Sequence, residues 1–437
     1  MNRGPRLRIA VIGAGISGLV AARGLDGHHD VTLFEAEPRP GGHTHTVEVD
    51  DPAGPLAVDT GFIIFNAYNY PRFTRLLQAL DIANQPTDMS FSVRCDRDDL
   101  EWCGSGRLHQ VFGQRRNLLR PRFWRMLGDI LRFAREARGV IHDASERRTI
   151  GEFAADRGYG HGFVHHYLLP MGASLWSCPE QRFADFPVRF VAEFMDHHCL
   201  LDINGRPQWQ TIPGGSRRYV DALLAQFTGD LRLGTPVLSI QRHGAGNGTG
   251  TPDTDSTRAA GVAITTAHGV EHFDEAILAC HADQSLALVH DADATERELL
   301  AAFPFEANEA ILHTDVRVLP RRRRCWAAWN HRAAADGEGT RVSATYNMNI
   351  LQSLDAHETW CLTLNDDRDI DPARIARRIP WSHPLFTLDR GRAQDRHGEM
   401  IRRNRLSWCG AWWGWGFHED GVASAARVLA AFGLDGP

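Results

Sequence analysis

The opening forty residues constrain this chain more than any others. Arg8-Ile-Ala-Val-Ile12 is a β-branched run of the kind that forms buried parallel strands. It leads into Gly13-Ala14-Gly15-Ile16-Ser17-Gly18, and Leu19 to Leu25 then carries a helix pattern. Asp30 to Phe34 reads as a second strand with Glu35 at its end. Strand, glycine turn, helix, strand and acid together form the full dinucleotide-binding context. Gly13 permits the tight turn, Gly15 lets backbone approach a pyrophosphate, and Gly18 lets helix and strand pack closely. Ala14, Ile16 and Ser17 share the turn, where the helix N-terminus offers N–H groups and a positive dipole end to phosphates. Glu35, 22 residues after Gly13, is placed to accept bonds from ribose hydroxyls.

This unit needs a larger frame, and 437 residues supply it. Pro236 to Ile240, Gly261 to Thr265 and Glu275 to Ala279 are β patterns, and Asp221 to Phe227 is helix-like. Residues 244–255 are rich in Gly, Thr, Asp and Asn and read as a hairpin tip. The glycine fingerprint occurs once in its full context, so a second built-in nucleotide domain is not expected. The predicted fold class is α/β: a doubly wound, discontinuous Rossmann-like cofactor domain (1–75, 206–285 and 400–437) with an α+β substrate domain (76–205 and 286–399).

Composition narrows the chemistry. All 48 cationic residues are arginine, which excludes a pyridoxal Schiff base, a phosphate-binding P-loop lysine and a lysine general base. The net charge of −6 carries no nucleic-acid footprint. The eight cysteines contain no C-x-x-C pair, as expected of reduced thiols in a cytoplasmic protein. The pairs His165-His166 and His197-His198 lack metal-ligand spacing, so no metal is expected. Residues 115–138 hold eight arginines against Asp129 and Glu136, a local net charge of +6. Phe123, Leu127, Ile130, Leu131 and Ala134 recur there at helical spacing. Such a helix either packs its apolar face inward or lies on an anionic membrane surface, giving peripheral contact at the inner membrane face. Arg321 to Arg324 reads as a solvated loop.

Glu35-Ala36-Glu37-Pro38-Arg39-Pro40-Gly41-Gly42-His43 resembles the extended fingerprint of the flavin amine oxidase, protoporphyrinogen oxidase and phytoene desaturase superfamily. The resemblance implies bound FAD, held without a covalent link. It assigns Ala36, Arg39, Gly41, Gly42 and His43 to the cofactor, with His43 standing where relatives often carry arginine. Val58-Asp59-Thr60-Gly61-Phe62 looks like the superfamily strand that returns beside the isoalloxazine, which brings in Thr60, Gly61 and Phe62. Val237 matches a residue that contacts adenine through its backbone. The segment from Trp408 to Val422 is similar to the last FAD segment, so Gly410, Ala411, Asp420, Gly421 and Val422 are further candidates. There Asp420 is expected to cap a helix starting near 420–422, and Ala411 replaces a frequent acid. His418 and His45 flank cofactor segments and are the candidate catalytic residues, with His418 placed to accept a substrate proton. The whole chain resembles a bacterial branch of oxidoreductases associated with cyclopropane-fatty-acid-synthase-like enzymes. That resemblance implies hydride transfer from a lipid or other hydrophobic substrate, an unsaturated or methyl-branched fatty acyl chain first, to flavin N5. The electron acceptor is left open. The rival readings are amine oxidation, flavin-dependent double-bond isomerisation, and a non-catalytic flavin-binding subunit.

Overall fold

The computed structural model describes residues 5–143, 145–176, 178–202, 205–244, 260–333 and 344–437. Most of the expected hairpin tip at 244–255 therefore lies outside the described residues.

The apolar runs build a five-stranded, all-parallel sheet in the order Asp230–Arg232, Asp30–Phe34, Arg8–Ile12, Glu275–Leu278, Leu406–Trp408. Four of the five residues in each of Arg8–Ile12 and Asp30–Phe34 are buried, as a sheet covered on both faces requires. Alternation assigns the faces. Ile9 and Val11 join the core formed with the helices Ile16–Leu25, Arg217–Ala225 and His418–Ala431. Ala10 and Ile12 join Val237, Ile240, Val262 and Ile264 on the other side. Those four belong to a three-stranded antiparallel sheet, Val237–His243, Gly261–Thr266 and Gly269–Phe273. The helix expected from Asp221 to Phe227 starts earlier, at Arg217, and ends at Ala225.

A second, seven-stranded sheet runs in the order Ile375–Pro384, Phe305–His313, Cys361–Leu364, Ala344–Asn347, Trp329–Ala333, Phe91–Cys95, Leu100–Cys103. Its pairs are antiparallel except for Trp329–Ala333 beside Phe91–Cys95. An aromatic core lies under the helices Pro121–Ile141 and Val188–His197. The five-stranded sheet takes its strands from the segments 1–75, 206–285 and 400–437, and the seven-stranded sheet takes its own from 76–205 and 286–399. A small sheet, Ile64–Phe65, Gln210–Thr211 and Gln85–Pro86, straddles the two sets.

The helix Pro121–Ile141 begins with proline at its first turn, where a missing N–H costs least. It buries Phe123, Met126, Phe133, Ala137 and Val140. The apolar face is thus rotated from the expected one: Leu127, Ile130 and Ala134 flank the contact, and Leu131 is exposed. Asp129 occupies the buried stripe and accepts the Gly160 N–H at 2.9 Å.

Candidate functional site

A cavity of about 1450 Å³ opens where the parallel strands end, with one wall on the cofactor segments and the other on the seven-stranded sheet and the aromatic layer. A cleft beyond the carboxyl ends of parallel strands is where open α/β folds bind ligands.

The first wall is built by backbone. Gly13, Gly15, Ile16, Ser17, Glu35, Ala36, Arg39, Gly41, Gly42 and His43 all line the cavity. A side chain at Gly18 would collide with the Gly13 carbonyl, so this glycine serves packing behind the wall. The space a Cβ would fill at Gly15 is empty for 4 Å around, and the residue has an ordinary extended φ of −73°. Glu35 accepts the Ala14 N–H at 2.7 Å and the Glu37 N–H at 3.0 Å. Its carboxylate has lone pairs left for two ribose hydroxyls. Gly41 and Gly42 turn with φ of +109° and +56°, which favours glycine, and Arg39 fastens the turn by donating to Gly42 O at 3.0 Å. Val237 also lines the cavity, beside Thr235, whose N–H bonds Glu35 O at 2.8 Å.

Thr60, Gly61 and Phe62 follow the strand Gly54–Asp59 rather than forming it. The Thr60 N–H donates to His45 O and the Phe62 N–H to His43 O, both at 2.8 Å, so this segment runs beside residues 43–45. His45 Nδ1 bonds Thr60 Oγ1 at 2.7 Å, and burial pulls the ring down to about 4. His43 stacks on Trp381 at 4.5 Å and leaves its buried Nε2 without a partner. His383 lies 5.5 Å from His43 and His281 lies 6.1 Å from it. Burial lowers all three histidines, which favours their neutral forms.

The last segment differs from expectation in two ways. The helix His418–Ala431 starts at His418, with Phe417 as N-cap. Asp420 sits within the first turn and reaches back to accept the Phe417 N–H at 2.9 Å, and burial raises its carboxyl to about 6. Asp420, Gly421 and Val422 do not line the cavity, whereas Gly410 and Ala411 do. A side chain at Gly421 would press on Ile16 and Ser17, so the residue sets how closely this helix meets the glycine turn. His418 reaches the cavity but is fully engaged on one side. Its Nε2 lies 3.0 Å from both Thr44 Oγ1 and Tyr219 OH, which also bond each other, and its ring stacks on Phe62 at 3.6 Å. Burial draws the imidazole down to about 3. A ring so weakly basic is poorly matched to accepting protons near neutrality.

Sequence reasoning missed Thr44, Tyr219, Trp381, His281 and His383, which carry no spacing signal and meet only in the fold. It also missed a clamp on the last segment. Arg390 and Gln394 both donate to Trp412 O and Gly414 O, at 2.6–3.2 Å. Arg390 is buried, and desolvation lowers it to about 9. Outside the cavity, Cys95, Asp98 and His166 hold ligand-type atoms within 4.8 Å of one another, so one member of the His165-His166 pair does join a mixed cluster. All eight cysteines are free thiols.

Residues 16–314 match the sequence profile of the flavin containing amine oxidoreductases. The chain belongs to that family. It is 30% identical over 252 residues to the provisionally named flavin-containing monoamine oxidase AofH of Mycobacterium tuberculosis, a match over 54% of this chain and 52% of that one. The chain thus spans about half the length of the curated relatives it matches. Among solved structures, cyclohexylamine oxidase from Brevibacterium oxydans aligns with a TM-score of 0.68 and 15% identity, covering 98% and 99% of the two chains. A conjugated linoleic acid (CLA)-producing fatty acid isomerase from P. acnes aligns with a TM-score of 0.65 and 14% identity, covering 97% of each. At those identities the likeness is one of fold. The glycine cradle, Glu35 and the unpartnered His43 Nε2 fit the flavin that the family's name carries.

Proposed function

We propose that the protein holds FAD without a covalent bond and oxidises a C–H bond of a hydrophobic, lipid-like substrate, an acyl chain first. One observation carries the substrate class: the composition of the second cavity wall. Leu175, Trp176, Phe194, Trp329, Leu362 and Trp415 line it, and its charged members are Arg377 and Arg378. The carboxylates that line the cavity, Glu35, Glu37 and Glu48, belong to the cofactor wall. An ammonium substrate meets no counter-ion among the residues lining the second wall, while an acyl carboxylate meets Arg377, beside an Arg378 already held by Glu309 and Asp367.

Bound flavin supplies a two-electron acceptor at N5. The chain's own residues bind the apolar chain, exclude water with the aromatic wall, and keep His43, His281 and His383 neutral beside it. His418 fixes the wall through Thr44, Tyr219 and Phe62. The reading is tested by anaerobic mixing with long-chain unsaturated fatty acids and with primary amines. Flavin absorbance bleaches with the lipid and stays unchanged with the amine; the reverse pattern overturns it. Denaturation releases yellow FAD into solution, whereas colour left in the precipitate refutes non-covalent binding. The fold shared with the fatty acid isomerase supports a second reading, in which the hydride returns to the substrate at another carbon. It is recognised by a rearranged product with no net flavin reduction and no acceptor consumed.

A further inference from the structure

The helix Pro121–Ile141 buries one face on the aromatic layer, yet its opposite face is not simply polar. Trp124 and Leu131, two turns apart, are both exposed, with exposed Gly128 between them. The short turn before the helix, Arg115–Leu119, adds Leu118 and Leu119, and Leu108 heads the helix Leu108–Val111. Leu119 is 87% exposed and Leu108 75%. Half of the ten large apolar side chains exposed among the described residues lie between 108 and 131. Contacts tie the central ones together: Trp124 Nε1 donates to Leu118 O at 2.9 Å, and its ring lies 5.2 Å from Phe112. A concentration of this kind marks an interaction surface rather than scattered surface hydrophobics.

Of the eight arginines from 115 to 138, Arg116, Arg125, Arg132 and Arg138 pair with acids. Arg115, Arg120, Arg122 and Arg135 form no ion pair among the described residues. The second basic run, expected as a plain solvated loop, folds against the same region: Arg324 and Cys325 pack on Gly113. Arg116 pairs with Asp99, with Arg120, Arg122 and Arg322 nearby. A recess of about 310 Å³ is lined there by Arg120, Arg122 and Arg125 over Phe123 and Phe163, and its one carboxylate, Asp98, is bonded to His166. This surface sits on a chain whose overall charge is −6, so the positive charge is segregated here rather than general.

We infer that this face docks on an anionic lipid bilayer, with Leu118, Leu119, Trp124 and Leu131 entering the acyl boundary and the arginines meeting lipid phosphates. Arginine-rich surroundings alone would suit a nucleic acid or an acidic protein; protruding leucines beside them suit a bilayer, where both parts find a partner. Among the described residues no helix is long and apolar enough to cross a membrane, so the contact is superficial. The inference stands apart from the substrate reading, because docking is measured without turnover.

The test is co-sedimentation of the flavin-loaded protein with phosphatidylglycerol-containing vesicles and with pure phosphatidylcholine vesicles. Binding is expected on the anionic vesicles only and weakens as salt rises, since exposed charges are screened beyond about 8 Å at physiological ionic strength. Arg122→Gln and Arg135→Gln each weaken it about fivefold. The pair Leu118→Gln and Leu119→Gln also weakens vesicle binding but leaves heparin binding unchanged. Trp124→Phe removes the blue-shifted emission seen on docking. Flavin content and melting temperature confirm that each variant is folded. Equal binding to both vesicles, no sedimentation, or full binding by the double leucine variant overturns the inference. A concentration-dependent dimer abolished by the leucine changes would instead assign this face to a second copy and likewise overturn it.

Discussion

The two walls of the cavity are made by different means. On the cofactor side, glycine turns and a few acids, Glu35 foremost, shape the surface, and much of what a ligand would meet is main chain. On the opposite side, Trp176, Phe194, Trp329 and Trp381 shape it, and these side chains arrive from segments far apart in the sequence. The first wall is written locally because its chemistry depends on φ angles and on the absence of side chains. The second is written globally, because an apolar surface is the sum of many replaceable residues. A backbone-built wall tolerates little change in type, and an aromatic wall tolerates change at some cost in stability.

That contrast can be broken by substitution. Trp176→Ala removes a ring stacked on Phe183 at 5.3 Å and packed near Phe194 at 4.6 Å. A loss of about 3–5 kcal/mol in chemical denaturation is expected, with the bound flavin spectrum retained. Loss of flavin without loss of stability would erase the division of labour. Glu35→Ala gives the opposite profile. It should weaken flavin by roughly 1.5–3 kcal/mol, the worth of hydrogen bonds to a charged group, measured as cofactor retained on dilution. Gly15→Val is the cleanest probe. Its Cβ meets no protein atom within 4 Å, so the fold should keep its melting temperature as apoprotein, while flavin affinity falls by about 1–3 kcal/mol from overpacking.

Two smaller effects sharpen the comparison. His45, His198, His313, His383 and His397 are drawn down to about 4 and His418 to about 3, with burial the leading cause in each. Each must take up a proton on unfolding below about pH 6.5, so stability falls as pH drops from there toward 4. Asp59 and Asp420, raised by burial to about 6, act in the other sense between pH 6 and 4 but are fewer. Melting temperatures across pH 4–8 check the sign, and a flat profile would show that these rings are hydrated. His418→Gln should change the rate of flavin reduction by less than tenfold. A fall of roughly 10²-fold or more would mark it as a proton acceptor.

The same division explains what was legible in the sequence. The strands Arg8–Ile12, Asp30–Phe34 and Glu275–Leu278 announce themselves as buried apolar runs, and Gly13, Gly15 and Gly18 sit where their spacing places them. The start of the last helix was misjudged because Asp420 looks like an N-cap. It instead reaches back from the third helical position to the Phe417 N–H, and the residue type alone does not distinguish the two bonds. The rotation of the helix Pro121–Ile141 was hidden by Asp129, a buried acid in an apolar stripe that only its bond to Gly160 accounts for. The trio Thr44, Tyr219 and His418 spans 374 positions and has no local signature at all.

The order of the parallel sheet has a consequence for synthesis. Glu275–Leu278 pairs with Arg8–Ile12 on one side and Leu406–Trp408 on the other. A ribosome therefore releases the sheet four-fifths built, with one strand's edge open until well over a hundred further residues have emerged. An unpaired apolar edge invites pairing with a neighbouring nascent chain. The nascent chain is thus most exposed to misassembly late in translation, and helpers that shield strand edges would act on it then.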